Sequence, residues 1–332
     1  MKKIIIDKNE NEQRIDRFLK KYLDKAPVNF IQKMLRKKNI ILNGKKSQAS
    51  DIIYEGDEIT LFLSDETIEK FRTEKEHVIL KNRLDIVYED NNIVAFNKPR
   101  GMLSHGTGKA FEENAVDNMI SYLIEKGDYI PRLEKTFTPA ISNRLDRNTS
   151  GILIACKNYY SLKAVNNAMK NLEIDKYYYT LVFGEFKEEI EKKAFIRKDE
   201  YKNITEVFDK EKEGSKNITT VFKPLESKNG FTFLEVKLIT GRTHQIRSQL
   251  SAMGYYIVGD EKYGDKKKNL MVNNFRGQFL HCGLIVLGGL EGELEYLNGL
   301  ELKAKMGRKL TSLKEDLMGG NDEKKLKYLM KQ

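Results

Sequence analysis

Cysteine and histidine are scarce in this chain, and long apolar runs are missing altogether. Cys156 and Cys282 stand far apart among 332 residues and outside any paired ligand spacing. That pattern indicates neither a disulfide framework nor a zinc site, and both thiols are expected as small buried apolar groups. The four histidines, at 77, 105, 244 and 281, are scattered, and there is no GxGxxG, GxSxG or HExxH. Dinucleotide, hydrolase-triad and zinc-protease chemistry therefore lose their usual signatures. GTGKAF, residues 106 to 111, looks like a phosphate loop, but Ala110 stands where Ser or Thr would hold magnesium and Leu103 where the first glycine is required. It fails as a P-loop. The longest apolar runs, in GILIACK and HCGLIVLGG, are five or six residues, against the roughly 20 that a membrane helix needs. The opening MKKIIIDKNENEQ turns charged after three isoleucines and lacks the core of a signal peptide. The expectation is a cytoplasmic protein with no membrane attachment.

What the chain has in excess is positive charge. Lys plus Arg number 59 against 49 acids, for a net charge of +10. The excess is concentrated at the start, where residues 1 to 50 hold 14 basic and five acidic residues. Such an end suits a polyanion such as RNA or an anionic membrane surface, although solvated lysine-rich faces give the same count.

That basic end reads as helix, helix, strand. In QRIDRFLKKYL, Ile15, Phe18, Leu19, Tyr22 and Leu23 recur at helical spacing, and in VNFIQKMLRKKN so do Phe30, Ile31, Met34 and Leu35. Arg14 and Arg17 accompany the first helix; Lys33, Arg36, Lys37 and Lys38 crowd the end of the second. Cations there complement the helix dipole and can equally grip phosphates. IILNGKK, with Lys45 and Lys46, follows as a strand entering an Asn-Gly turn, and YEGDEITLFL closes the module. Residues 12 to 63 resemble an S4-type RNA-binding domain. The charged stretch 64 to 82 reads as a linker, so a first domain is placed at 12–75, a second at 76–305, and a charged tail at 306–332.

From residue 84 strand-like runs dominate: LDIVYED, NIVAFNKP, GILIACK, KYYYTLVFGEF, NITTVFKPLES, FTFLEVKLIT and LHCGLIVL. Between them NYYSLKAVNNAMKNLEI places Leu162, Val165, Met169 and Leu172 on one helical face. Strands outnumber helices without strict alternation, which favours an α+β fold around a mixed, mostly antiparallel sheet.

Two segments carry the chemistry. In NRLDRNTSG, residues 143 to 151, Asp146 lies between Arg144 and Arg147 ahead of a polar turn. Nearby arginines would hold its carboxyl ionised as a nucleophile or base; a surface Arg-Asp pair would look the same. In FLEVKLITGRTHQIRSQLSAMGYYIVGDEKYG a strand turns at Gly241, Thr243 can cap a helix with core face Ile246, Leu250 and Met253, and Gly254 ends it. Arg242, His244 and Arg247 at such a helix start suit a phosphate or a carboxylate partner.

These two segments, with AFNKPRGMLSHG before them and the Lys176-x-Tyr178 strand KYYYTLVFG between, resemble the motifs of the RluA family of pseudouridine synthases, in order over residues 84 to 290. The resemblance implies an RNA-uridine isomerase of 23S ribosomal RNA that is monomeric and needs neither metal nor small-molecule cofactor. It implies Asp146 as the catalytic carboxylate, Arg247 as its partner, Tyr178 stacking on the target uracil, and Arg144 filling the space of a flipped nucleotide. Lys176, Arg242 and His244 are candidates for substrate contacts. The family motif commonly begins with His, and this chain has Asn143, which cannot titrate near neutrality. The competing readings are a non-catalytic RNA-binding or ribosome-assembly protein with the same fold, and a nuclease. Metal-dependent nucleases cluster carboxylates, whereas Asp146 is flanked by arginines.

Overall fold

A computed structural model describes residues 1–73, 80, 84–108, 112–131, 134–199, 201, 204–272 and 275–319. Two hydrophobic cores account for most of it. The first is built from β1 (Lys2–Ile5), β2 (Gln13–Arg14), α1 (Ile15–Tyr22), α2 (Val28–Arg36), β3 (Ile40–Leu42), β4 (Lys45–Lys46), β5 (Ile52–Ile53), β6 (Glu58–Leu61) and α3 (Asp65–Phe71). The apolar faces expected of the two helices, with Ile15, Phe18, Leu19, Ile31 and Leu35, are buried with Ile40, Ile59 and Leu61 of the sheet β1-β6-β3-β4. Asn43 and Gly44 make the turn between β3 and β4, both at positive φ.

The sequence reading placed this module's edges differently. β1 pairs along its length with β6, so the packed unit begins well before residue 12. Ser64 caps α3 by accepting from Thr67 N, Ile68 joins the core, and Phe71 packs on Phe30 with ring centres 4.7 Å apart. The first part of the expected linker is thus a helix of the module; residues 74–79 and 81–83 lie outside the described residues.

The larger body is one eleven-stranded sheet among the described residues, formed by β7 (Ile86–Glu89), β8 (Ile93–Lys98), β9 (Ala140–Ile141), β10 (Ser150–Cys156), β11 (Asp175–Phe183), β12 (Ile190–Asp199), β13 (Ile204–Phe208), β14 (Lys216–Lys228), β15 (Phe231–Leu238), β16 (Leu280–Val286) and β17 (Glu301–Lys303). The order is β13-β12-β14-β15-β11-β16-β10-β8-β7, with β9 on β10 and β17 on β16. Every pair is antiparallel except β10 with β16, where Gly151 faces Cys282. A Cβ at Gly151 would lie 2.2 Å from the Cys282 carbonyl oxygen, so only glycine admits this approach. The α+β architecture with flanking helices is the one the strand-rich sequence predicts.

Helices α4 (Ala115–Lys126), α5 (Tyr159–Lys170), α6 (Gln245–Ala252), α7 (Lys266–Leu270) and α8 (Arg308–Lys314) accompany the sheet. The buried face of α5 is Ser161, Val165 and Ala168; Leu172, expected on it, lies beyond the helix at φ +64 and is exposed. The chain after 305 is not simply a charged tail, because Leu310, Leu313 and Met318 are buried in the main core. The rest of the expected tail, 320–332, lies outside the described residues. The two bodies meet through polar contacts. Lys8 Nζ donates to Glu293 Oε1 at 2.9 Å, Lys163 Nζ to Glu12 Oε2 at 3.0 Å, Thr136 Oγ1 to Glu10 Oε1 at 2.9 Å, and Lys135 pairs with Asp7. No helix among the described residues is long and apolar enough to cross a membrane.

Candidate active site

Asp146 rides on a loop that leaves β9 at Ser142 and returns as β10 at Ser150. Backbone hydrogen bonding within the loop gives it a turn, Thr149 N to Asp146 O at 3.0 Å. The rest of its shape is imposed from below by the segment following β8. Ser104 Oγ donates to Leu145 O and accepts from Leu145 N at 2.7 and 3.0 Å. Gly101 N and Lys98 Nζ both donate to Arg147 O. Arg100 Nε donates to Asn148 O at 3.2 Å while its Nη2 reaches the carbonyls of Arg276 and Gly277.

Lys98 is fully buried, and its ammonium group donates to three carbonyl oxygens, of Pro99, Met102 and Arg147. Burial pushes its pKa down to about 7, opposed by the negative charge of Asp146. A lysine ending an apolar strand was visible in NIVAFNKP, yet nothing in the sequence alone said that its partners would be loop carbonyls.

Opposite the loop stands α6. Its first residue is Gln245, preceded by His244 at φ +56, so Thr243 is not the cap that the sequence suggested. The turn is closed instead by Gln245 Oε1, which accepts from Arg242 N and Thr240 Oγ1, both at 3.1 Å. Ile246 and Leu250 face the core as expected, with Met253 partly buried, and Gly254 follows the helix at φ +83.

The inward face of α6 presents Arg247, whose Nη1 donates to Asp146 Oδ2 at 2.8 Å. The rest of its guanidinium is gripped by Asp260, with Nε to Oδ2 at 2.7 Å and Nη2 to Oδ1 at 2.9 Å. Asp260 is itself buried and accepts the backbone N–H groups of Lys262 and Tyr263. Burial alone would lower the Arg247 pKa, but the two carboxylates outweigh it and the net shift is upward; burial would raise that of Asp260, and Arg247 outweighs it downward. The pair is ionised and fixed in a planar, two-pronged geometry. Asp260 was missed in the sequence because GDEKYG is an unremarkable acidic turn until its partner is known.

His244 Nε2 lies 3.8 Å from Asp146 Oδ2, and its Nδ1 is 2.9 Å from the Tyr263 hydroxyl. Burial lowers its pKa, aided by Arg247 and Lys262 and opposed by Asp146, so the ring is neutral at pH 7. Tyr178 reaches the same region from β11. It is buried, and burial first, with the Cys282 thiol second, raises its pKa well above the usual tyrosine value. At neutral pH its hydroxyl holds its proton. Lys176, two residues earlier on the strand, is buried too, with its pKa lowered by burial and its Nζ 3.9 Å from Met169 Sδ.

Asp146, Arg144, Lys176, Tyr178, Arg242, His244 and Arg247 all line one cleft of about 1090 Å³, in which Asp146 is the acidic residue among the described lining. The flanking arginines do not make the ion pair that their spacing suggested. Arg147 pairs with Glu112, and Arg144 is exposed on the cleft wall. The carboxylate is held from across the cleft. Because Asp260 has its oxygens filled by N–H donors, a single carboxylate remains to face the cavity, which is not the donor set of a metal centre.

The sequence-predicted basic residues of the first module divide differently. Lys33, Arg36 and Lys46 line a second, open cleft of about 690 Å³ between α2 and the β4–β5 segment, floored by buried Ser47. Arg17, Lys37, Lys38 and Lys45 are exposed outside its lining. Arg14 is tied to Asp16 at 2.7 Å.

Comparison with known proteins agrees with this geometry. Residues 92–252 match the family model described as RNA pseudouridylate synthase. The chain is 34% identical over 307 residues to an uncharacterised RNA pseudouridine synthase of Mycoplasma capricolum, covering 90% of this chain and 95% of the relative. It is 33% identical over 286 residues to ribosomal large subunit pseudouridine synthase C of Rickettsia bellii, covering 82% and 89%. Among solved structures, human RNA pseudouridylate synthase domain containing 4 superposes with a TM-score of 0.54 at 21% identity, covering 70% of this chain and 92% of that one. That likeness concerns the fold.

Proposed function

Since the chain belongs to the RNA pseudouridine synthase family, isomerases acting on RNA, we propose that it converts specific uridines of large-subunit ribosomal RNA to pseudouridine, with Asp146 as the catalytic carboxylate. The reaction breaks the bond from ribose C1′ to uracil N1 and forms one from C1′ to C5; the C5 proton is released and N1 gains one. No redox equivalent is consumed. The observation that carries the assignment is the Arg247–Asp146 contact at 2.8 Å inside a cleft large enough for a nucleoside. Attack at the sugar or base and proton removal from the sugar both require an ionised, oriented carboxylate. Arg247, fixed by Asp260, supplies orientation and charge together.

Reaching a base inside a stem requires its eversion. Arg144, exposed on the loop beside Asp146, is placed to occupy the vacated space, and the Tyr178 ring offers a flat face to the uracil. Its hydroxyl, held protonated by burial, serves as a donor and not as a resting base. Arg242 at the rim and Lys176 in the wall are the cationic contacts for the flanking strand. The N-terminal module acts in this reading as an S4-type RNA-binding unit. The name of the Rickettsia relative, a ribosomal large subunit pseudouridine synthase, supports the choice of a ribosomal substrate.

Incubating RNA tritiated at uracil C5 tests the assignment against both competing readings. Wild type releases tritium without shortening the RNA, and Asp146→Ala loses that release by ~10³-fold or more while RNA binding survives. Chain cleavage would mark a nuclease. Absence of release from every rRNA tested would mark a binding protein, and release unchanged in the variant would remove Asp146 from the chemistry.

A further inference from the structure

The Ile152 carbonyl and the Ile154 N–H on one edge of β10 lie in a gap in the sheet. Below it β16 pairs only as far as Gly151 opposite Cys282. Above it β9 begins at Ala155 opposite Ile141. No strand covers these two groups, yet both are satisfied. Ser142 N donates to Ile154 O at 2.7 Å, where the β9 side of the ladder begins. The two gap groups are taken by one side chain: Asn143 Nδ2 donates to Ile152 O, and its Oδ1 accepts from Ile154 N, both at 2.9 Å.

A carboxamide carries one donor and one acceptor on a planar unit, so Asn143 stands in for a peptide group of the missing strand. The two partners also fix which atom is oxygen and which nitrogen, since only a carbonyl answers an N–H and only an NH₂ answers a C=O. The consequence falls on the catalytic loop. Its main chain leaves β10's edge at this residue, three positions before Asp146, and Ser104, Lys98 and Arg100 grip it only from Leu145 onward. Asn143 pins the entry; the others pin the middle and exit.

We propose that Asn143 is a positioning residue for Asp146, and that what this position requires is one donor and one acceptor about a peptide width apart. The inference rests on Asp146 being the catalytic carboxylate. It also accounts for the departure noted in the sequence, where the motif commonly has histidine: a neutral imidazole offers the same donor and acceptor pair, whereas an imidazolium offers two donors and leaves Ile154 N–H buried without a partner. Asparagine does the same work without a titration.

The ionisable groups around this edge are few. The thiols of Cys156, 3.4 Å from Ser142 Oγ, and Cys282 are both pushed up to about 12 by burial and stay neutral. Lys176 acts on Cys282 from β11, and Arg144 and Asp146 belong to the loop itself. Lys98 of β8, pushed down to about 7 by burial, and the buried His244 and His281 are common to the wild type and every variant, so the pH dependence of each variant is read relative to wild type.

The test compares single-turnover tritium release and RNA affinity for the full-length wild type and Asn143→Ala, Asn143→Asp and Asn143→His from pH 5.5 to 8.5. Asn143→Ala is expected to lower the single-turnover rate by roughly 10- to 100-fold with RNA binding within about twofold, the scale of a misplaced catalytic group. Asn143→Asp, which sets an acceptor oxygen against the Ile152 carbonyl, falls at least as far. Asn143→His restores most of the rate at pH 8, and relative to wild type its rate declines toward the alanine level as pH drops through about 6.5. A merely structural role would not produce that relative pH dependence. The proposal is overturned if Asn143→Ala keeps the wild-type rate, or if Asn143→His either tracks wild type at every pH or stays at the alanine level throughout. Failure of the underlying reading is separate, because it shows as tritium release that survives Asp146→Ala.

Discussion

Arg247 in the cleft has a side chain only 8% exposed and divided between two carboxylates, while Lys33, Arg36 and Lys46 of the N-terminal module stand in solvent with no ion pair among the described residues. Both regions are cationic, and they use charge in opposite ways. In the cleft, desolvation makes each interaction strong and directional, so every charge needs an assigned partner and removing one strands another. On the module, solvent screens each charge to a weak contribution, and only their number and placement matter, as befits contact with a repeating phosphate chain. Chemistry needs the first arrangement; retention of a long polyanion needs the second.

The sharpest way to break this contrast is at Asp260, which touches no cleft surface yet holds Arg247 by two hydrogen bonds. Asp260→Asn removes the charge and one acceptor while keeping the shape. The Arg247 guanidinium then has no fixed plane, and kcat should fall by about 100-fold, or ~3 kcal/mol, with RNA affinity nearly unchanged. Stopped tritium-release kinetics beside a thermal melt separates lost alignment from lost fold. A variant that keeps its melting temperature and its full kcat would show that buried pairing is not what orients Asp146.

The exposed side responds to number. Replacing Lys33, Arg36 and Lys46 together by alanine should leave kcat at saturating RNA intact, weaken binding several-fold, and reduce the slope of log affinity against log salt by about 2. Replacing Arg14, already tied to Asp16, should change the slope by less than any one of the three. Filter binding between low and moderate salt decides. Equal slopes for the triple variant and wild type would place the phosphate track elsewhere on the chain.

These differences also explain what could be read from the residues in advance. The amphipathic helices of the module and the strands around NIVAFNK and GILIACK were legible because burial imposes a period. Asp146, Tyr178 and Arg247 were legible only through the resemblance of their motifs, since a lone Asp between two arginines reads equally as surface decoration. The arginines flanking Asp146 misled because adjacency in sequence was taken for pairing, whereas Arg147 turns to Glu112 and the partner arrives from α6, 101 residues away. Asp260, Lys98 and Asn143 were illegible for one reason: each acts through a partner brought close only by the fold. The module's edges were misplaced because β1 pairs with a strand more than 50 residues distant, a register no local pattern encodes.

The seam between the two regions provides the smallest expected effect and a test of where the contrast stops. Glu10 belongs to the module, yet it is buried like a cleft residue, accepting from Thr136 of the larger body, with one carboxyl oxygen lacking a hydrogen-bond partner. Burial, reinforced by the Asp7 carboxylate, pushes its pKa up to about 8 against the opposing pull of Thr136 and Lys135. The folded state therefore binds this proton more tightly than the unfolded chain, whose glutamate titrates near 4.5. Its contribution to stability is full below about pH 4.5, declines as pH rises toward 8, and is gone above that. Glu10→Gln keeps the neutral shape at every pH. Its melting temperature should match that of wild type near pH 5 and exceed it by a few degrees at pH 9, with the gap opening between those values. A gap that is constant with pH would mean that Glu10 stays ionised in the folded protein, and that the seam is held by exposed pairs such as Lys8 with Glu293, which salt would then loosen.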